Sequence, residues 1–169
     1  MIMEFLDVVN EKDEVIGRAA KKEVYDRKLM HRIVHVLIFN DKGEMALQLR
    51  SKNVSFCPLH WSTAVGGHVM SGESYEKAAL REMEEEIGIE TEIKFAYKDL
   101  YHDKRRLLKK ILMTFRSLYN GQFKINTSDV ELKFFSLEQI QDMIRNDEKI
   151  HPELLFLLER HFGIKHNPQ

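Results

Sequence analysis

Between residues 67 and 89 the chain reads GHVMSGESYEKAALREMEEEIGI, and no other stretch restricts the fold as strongly. Ser74 is a favoured helix N-cap, apolar residues recur at Tyr75, Ala79, Met83 and Ile87, and Gly88 suits a C-terminal stop. This spacing predicts a helix with one apolar stripe that must be buried against a partner layer. On a wheel of about 100° per residue, with Glu82 at the origin, Glu86 falls at about 40° and Glu85 at about −60°, beside a stripe spanning roughly 20° to 140°. Three carboxylates therefore share one side of the helix at the border of its buried face. Like charges there repel unless a cation joins them. Hard oxygen donors in that number suit magnesium, with manganese as a substitute, and magnesium completes its shell with water and phosphate oxygens. Gly67 lets a backbone carbonyl approach a metal, and Gly72 permits the turn that launches the helix. Glu73 precedes the helix and can orient groups there, while Arg81, four residues before Glu85, can pair with it.

The rest of the chain reads as strands interleaved with helices. Residues 4 to 17 suggest a hairpin around NEKDE, and a short charged helix follows to about Leu29. HRIVHVLIF at 31 to 39 is rich in strand formers, Asn40, Asp41 and Gly43 supply a turn, and Met45, Leu47 and Leu49 alternate in a second strand. Residues 51 to 61 have neither period and contain Pro58, which predicts a loop. Further strands are expected near 92 to 101, 108 to 119 and 130 to 135. Ser136 with Gln139 makes a capping box for one helix, and Pro152 opens another that Gly163 stops. The order implies an α/β fold, a mixed sheet covered by helices on both sides. A single domain over 1–169 is expected, with a core at about 30–163 and an N-terminal hairpin extension at 4–28.

With 26 basic and 27 acidic side chains, the overall field gives no reason to expect a nucleic-acid partner. Cys57 is the only cysteine, which excludes an internal disulfide and the paired thiols of a zinc or redox motif. The acidic start and the lack of a long apolar run argue against a signal peptide, a membrane span or a membrane partner, and lead us to expect a cytoplasmic protein. Oligomeric state is not legible, and a homodimer is compatible with the sequence.

A run such as EMEEE is most often just a solvated helix face. Its spacing here says more. The segment satisfies Gx5Ex7REUxEExGU, with U a bulky apolar residue, at Gly67, Glu73, Arg81, Glu82, Met83, Glu85, Glu86, Gly88 and Ile89. A chance match at all nine positions is on the order of one in 10⁷ from average residue usage. The pattern is similar to the Nudix box at every defined position. That resemblance implies an α/β/α sandwich with a mixed sheet, and hydrolysis of a diphosphate linkage in a nucleoside diphosphate or NDP-linked small molecule. It further implies a metal, magnesium by expectation, held by Glu82, Glu85, Glu86 and the Gly67 carbonyl. Arg81 would orient them, and metal-assisted water would attack phosphorus. The catalytic base would be a box glutamate, Glu85 or Glu86, or a distant one, for which Glu131 is the candidate.

Outside the box, LDVVNEKDEVIG and the pattern of Arg50, Pro58, Trp61 and VGGH at 65–68 resemble the isopentenyl-diphosphate isomerase branch and its nucleoside-diphosphate hydrolase relatives. By that resemblance Arg50 is a candidate for phosphate contact and Trp61 for the substrate pocket, each with a structural alternative. His31 and His68 match isomerase histidines, and a structural role is the plainer reading of both. The isomerases carry a cysteine where this chain has Gly66, and metal-binding glutamates where it has Lys109 and Lys110. Both departures argue against isomerase chemistry, because Gly66 has no proton to donate. Cys57 lies too far along its loop to substitute. Two rivals to hydrolysis therefore stand: an isomerase of that kind, and a non-catalytic nucleotide-binding module.

Overall fold

The computed structural model describes residues 2–125 and 130–166. Nine strands and four helices follow in the order β1 (Phe5–Val9), β2 (Val15–Ala20), α1 (Lys21–Asp26), β3 (His31–Phe39), β4 (Met45–Leu49), β5 (Trp61–Thr63), β6 (Val65–His68), α2 (Tyr75–Ile87), β7 (Lys94–Asp103), β8 (Leu108–Leu118), β9 (Glu131–Phe135), α3 (Leu137–Arg145) and α4 (Pro152–Phe162) among those residues. The mixed sheet expected from the sequence is present. Its strands run β5-β4-β3-β8-β7, with β6 also paired to β3 and β9 to β4. β3 is its spine, parallel to β8 from His31↔Lys110 to Phe39↔Leu118 and antiparallel to β6 from Ile33↔His68 to Val36↔Val65.

Because side chains alternate along a strand, β3 feeds two cores. Val34, Val36 and Ile38 pack toward α2 with Ala78, Ala79, Met83 and Ile87, while Leu37 packs with Met45, Leu47 and the apolar faces of α3 and α4. The helices thus lie on the two sides of the sheet. Full burial of Met83 and Ile87 contributes roughly 1.5–3 kcal/mol each, which fixes the face that α2 turns to the sheet. Its ends follow the sequence signals: Ser74 Oγ accepts from Lys77 N, and Gly88 takes a φ of 64°. The capping box of α3 forms as well, and α4 adds an N-cap the sequence did not reveal, His151 accepting from Glu153 N. Two short strands were also unforeseen. β5 and β6 have only three and four residues, too few to show a period, and β6 carries two glycines that a strand ordinarily disfavours.

β1 and β2 form their own two-stranded sheet, whose role is to clamp the turn that launches α2. Ser71 N donates to Phe5 O, Ser71 Oγ to Asp7 Oδ1 at 2.7 Å, and Gly72 N to Asp7 Oδ2 at 3.1 Å. From the hairpin turn Asp13, at φ 63°, accepts from Arg32 Nε at 2.6 Å, Lys98 Nζ at 2.7 Å and Tyr75 OH. Burial by itself would raise the Asp13 carboxyl, but the hydrogen bonds from Lys98, Arg32 and Tyr75 outweigh it and hold the group below the usual carboxylate range. Such a group stabilises the fold above its unfolded pKa and loses that contribution as pH falls through its native one. Asparagine tolerates the same left-handed backbone. Asp13→Asn should therefore cost about 1–3 kcal/mol in urea unfolding at pH 7, with the deficit shrinking toward acid as the wild-type carboxyl protonates too.

Candidate functional site

A cleft of about 1180 Å³ opens between α1, the ends of β3, β4 and β6, the start of α4 and Glu86 of α2. A smaller recess of about 370 Å³ shares Gly66, Gly67, His68 and Glu86 with it and adds Arg81, Glu82 and Glu85. Every metal ligand expected from the sequence therefore lines one concavity. The burial of Met83 and Ile87 places it there, because turning that stripe inward sets Glu82 and Glu86 against the backbone of β6.

The approach is close enough to decide residue types. A Cβ on Gly67 would stand 2.3 Å from the Glu82 carboxyl carbon, so only glycine permits this carboxylate position. Glu86 Oε2 accepts from Gly66 N at 3.2 Å. Arg81 ties the recess together: it grips both oxygens of Glu73 at 2.8 and 2.9 Å, donates to His68 O at 3.0 Å and to Glu82 Oε1 at 2.8 Å, and lies 3.4 Å from Glu85. The sequence suggested Glu85 as its partner, but the bidentate grip falls on Glu73, which also accepts from Met70 N. Its hydrogen bond with Glu73, followed by the carboxylate of Glu82, raises the Arg81 pKa despite partial burial.

The acidic side chains respond differently to this setting. Burial raises Glu82, with Arg81 opposing, while Glu86 is pushed up to about 8 by burial and by the charge of Glu82. Glu85 stays largely in solvent. Among the described residues no three carboxylate, imidazole or thiolate side chains already converge as a metal cage. Glu82 is drawn to Arg81 instead. The donor set nevertheless fits a hard divalent ion: carboxylate oxygens of Glu82 and Glu86 drawn into a recess beside a glycine with no Cβ, with Glu85 at its edge.

Other candidates sort cleanly. Arg50 lines the cleft and donates to Phe56 O at 3.0 Å and Cys57 O at 3.2 Å, so it also pins the 51–60 loop. Trp61 does not line the cleft. It packs edge-on against Phe135 at 5.1 Å in the α3–α4 core. Glu131 is placed opposite Leu49 in the β4–β9 ladder, ion-paired with Lys133, and is likewise not brought to the cleft. His31 and His68 stack at 5.6 Å, with His68 Nε2 bonded to Tyr25 OH. Burial pushes His31 down to about 4 and His68 down to about 2, so both rings are neutral. Cys57 is buried, and burial raises its thiol above the ordinary range.

Sequence reasoning missed a polar group on the cleft floor. Glu153, at the start of α4, accepts from His35 Nε2 at 3.0 Å and from Lys110 Nζ at 3.1 Å, all three side chains being buried. Burial opposes the charge on Glu153, but Lys110 and then His35 overcome it and hold the carboxyl well below its usual range. The available signal was polar residues inside apolar strands: His35 within HRIVHVLIF and Lys110 within LKKIL.

Comparison with known proteins follows the same lines. The model of the NUDIX domain matches residues 29–158. The chain is 40% identical over 102 residues to the uncharacterized Nudix hydrolase SCO1686 of Streptomyces coelicolor, covering 59% of this chain and 56% of that protein. The matched stretch thus spans about half the length of the first curated relatives. It is 27% identical over 155 residues to isopentenyl-diphosphate Delta-isomerase 2 of Photorhabdus laumondii, 88% of this chain and 86% of that one. The crystal structure of DR0079 from Deinococcus radiodurans superposes with a TM-score of 0.79 at 26% identity, covering 93% of this chain and 98% of that one.

A carboxyl raised in the native state binds its proton more tightly there than in the unfolded chain. Glu86 therefore withdraws stability as pH climbs from about 4.5 to about 8. Glu86→Gln should leave the metal-free protein unchanged near pH 4.5 and stabilise it by roughly 1–3 kcal/mol at pH 8, read from thermal unfolding in EDTA.

Proposed function

The chain belongs to the Nudix family, whose hydrolases generally act on nucleoside diphosphate derivatives with divalent metals, and from that premise we propose that it is a magnesium-dependent diphosphohydrolase. Its substrate would be a nucleoside diphosphate or NDP-linked small molecule, and its product a monophosphate. The observation that carries this is the setting of Glu82 and Glu86: two carboxylates of one helix, held against Gly66 and Gly67, at the mouth of a cleft also lined by Arg50.

Glu82, Glu85, Glu86 and the Gly67 carbonyl would hold the ion. When bound it would neutralise phosphate charge and activate water. The chain's own residues do the positioning. Arg81, locked by Glu73, keeps Glu82 over the glycine, and the clamp of Asp7 on Ser71 and Gly72 fixes the turn from which both groups hang. Arg50, which lines the same cleft, offers a guanidinium to phosphate oxygens. With Glu131 turned to Lys133, the proton-accepting role falls to the box glutamates Glu85 and Glu86.

The isomerase reading loses support at two points. A side chain at position 66 would meet His35 Nδ1 at 3.0 Å and Thr63 Oγ1 at 3.3 Å, and Lys110, where a metal-binding glutamate would stand, is committed to Glu153. A purely binding module would ordinarily show a degraded box, and this one is intact at every defined position. The decisive assay is monophosphate release from a panel of nucleoside diphosphates and NDP-linked compounds, with and without magnesium. Wild type should turn over at least one in a magnesium-dependent way, and Glu86→Gln should lose about 10²-fold or more in kcat while remaining folded. Deuterium uptake from heavy water into an allylic diphosphate, or nucleotide binding without turnover, would replace this reading with one of its rivals.

A further inference from the structure

The carboxylate recess takes up about 370 Å³, and the cleft beside it measures about 1180 Å³. Pockets that enclose a whole small molecule run to roughly 300–1000 Å³, so the cleft has room for an organic group carried on the diphosphate. Its charged lining is already balanced. Lys110 Nζ bonds Glu153 Oε2 at 3.1 Å, Arg106 Nε bonds Asp103 Oδ2 at 2.7 Å, and both cations also lie over the Tyr25 ring, at 5.9 and 5.3 Å. At the mouth, Lys21, Lys22 and Arg27 are ion-paired with Glu4, Asp26 and Glu23. Arg50 apart, a second charged group would find no unpaired counter-ion here, and desolvating it would be costly. The lining suits an uncharged group instead.

One wall offers hydrogen bonding without charge. His151 caps α4: its Nδ1 accepts from Glu153 N at 3.2 Å, so the ring proton sits on Nε2. Burial pushes the ring down to about 4, which keeps it neutral at pH 7. Nε2 has no hydrogen-bond partner among the described residues, yet it is not sealed from solvent, and the space that His151 lines is the cleft. The Phe56 ring stands edge-on to it at 5.5 Å and lines the cleft as well. His151 N donates to Trp61 O at 2.8 Å, and the next residue, Ser62, pairs with Gln48 across the β4–β5 ladder. Gln48 also lines the cleft, and its amide has no partner among the described residues.

We propose that Phe56, His151 and Gln48 form a specificity pocket for an uncharged aromatic heterocycle carried on the diphosphate, which stacks on Phe56 and accepts from His151 Nε2 through a carbonyl oxygen or ring nitrogen. The fixed tautomer is the selective element. An aliphatic group of the same size would leave that N–H buried without an acceptor, and a heterocycle would not. Gln48, which both donates and accepts, can meet the edge of such a ring. The Lys110–Glu153 pair serves the pocket at one remove, because it anchors the residue whose backbone N–H fixes the His151 ring. Selection among nucleoside diphosphates would then fall to these three residues. That corollary rests on the hydrolase reading, but the pocket does not.

The test titrates the common ribonucleosides, with ribose as control, into the metal-free full chain in EDTA, followed by amide and imidazole nitrogen NMR. These probes carry no phosphate, so neither metal nor turnover enters. Wild type should show His151 protonated at Nε2 alone, and at least one nucleoside should bind and shift that N–H together with Phe56, Gln48 and the start of α4. His151→Asn keeps an N-cap for α4 but withdraws the Nε2 donor, and should weaken binding about fivefold or more. Phe56→Leu should weaken it by about the same factor through lost stacking, and it remains informative if His151→Asn does not fold. Absence of nucleoside binding to wild type, ribose binding as tightly, His151 protonated at Nδ1, or undiminished affinity in Phe56→Leu would overturn the pocket. Nucleosides that bound here while no diphosphate was turned over with magnesium would count against the hydrolase reading alone.

Discussion

A carboxylate pressed against a glycine is the contact on which the site depends. Glu82 occupies the volume a Cβ would take at Gly67, and Glu86 is tied to the next amide along β6. That arrangement requires α2 to lie flat on the sheet, and only its apolar stripe can hold it there against the repulsion of its own acids. Hydrophobic burial of Ala79, Met83 and Ile87 thus does electrostatic work. It keeps charged groups where they would not settle unaided, and the raised Glu86 carboxyl records the strain.

The N-terminal hairpin follows from the same need. A helix start bearing Glu73 and carrying Arg81 one face along must be aimed, and the turn before it has few contacts of its own. Asp7 supplies two acceptors to that turn, and Asp13 fastens Tyr75 of α2 to Arg32 of β3. The hairpin is therefore better described as the outer half of the support for the carboxylates than as an appendage. Its buried residues Leu6, Val8 and Ala19 form a small cluster with Val24 of α1 and with Met70 from the same turn.

Most elements were legible because their periods and caps are strong. β3, β4, α2, α3 and α4 all begin or end within a residue or two of the signals that predict them. What escaped was short or depended on tertiary position. β5 and β6 owe their extended form to the neighbours they pair with, not to their own residues. In sequence Trp61 suits a pocket wall and a structural position equally, and only the fold shows that Phe135 stands beside it. Glu131 was assigned by its distance from the box along the chain. Strand register turned it toward Lys133 instead. The box could be read from spacing because all its members sit on one helix and its launching turn, where sequence distance and spatial distance coincide.

The cleft floor shows the opposite case. His35, Lys110 and Glu153 come from β3, β8 and α4, and nothing in their sequence separation announces that they meet. Yet the parallel pairing of β3 with β8 places His31 opposite Lys110, so polar residues on two adjacent strands share one face of an otherwise apolar sheet. A buried ion pair of this kind contributes little to stability, since desolvation consumes most of the attraction, and an apolar trio of equal volume would serve the fold as well.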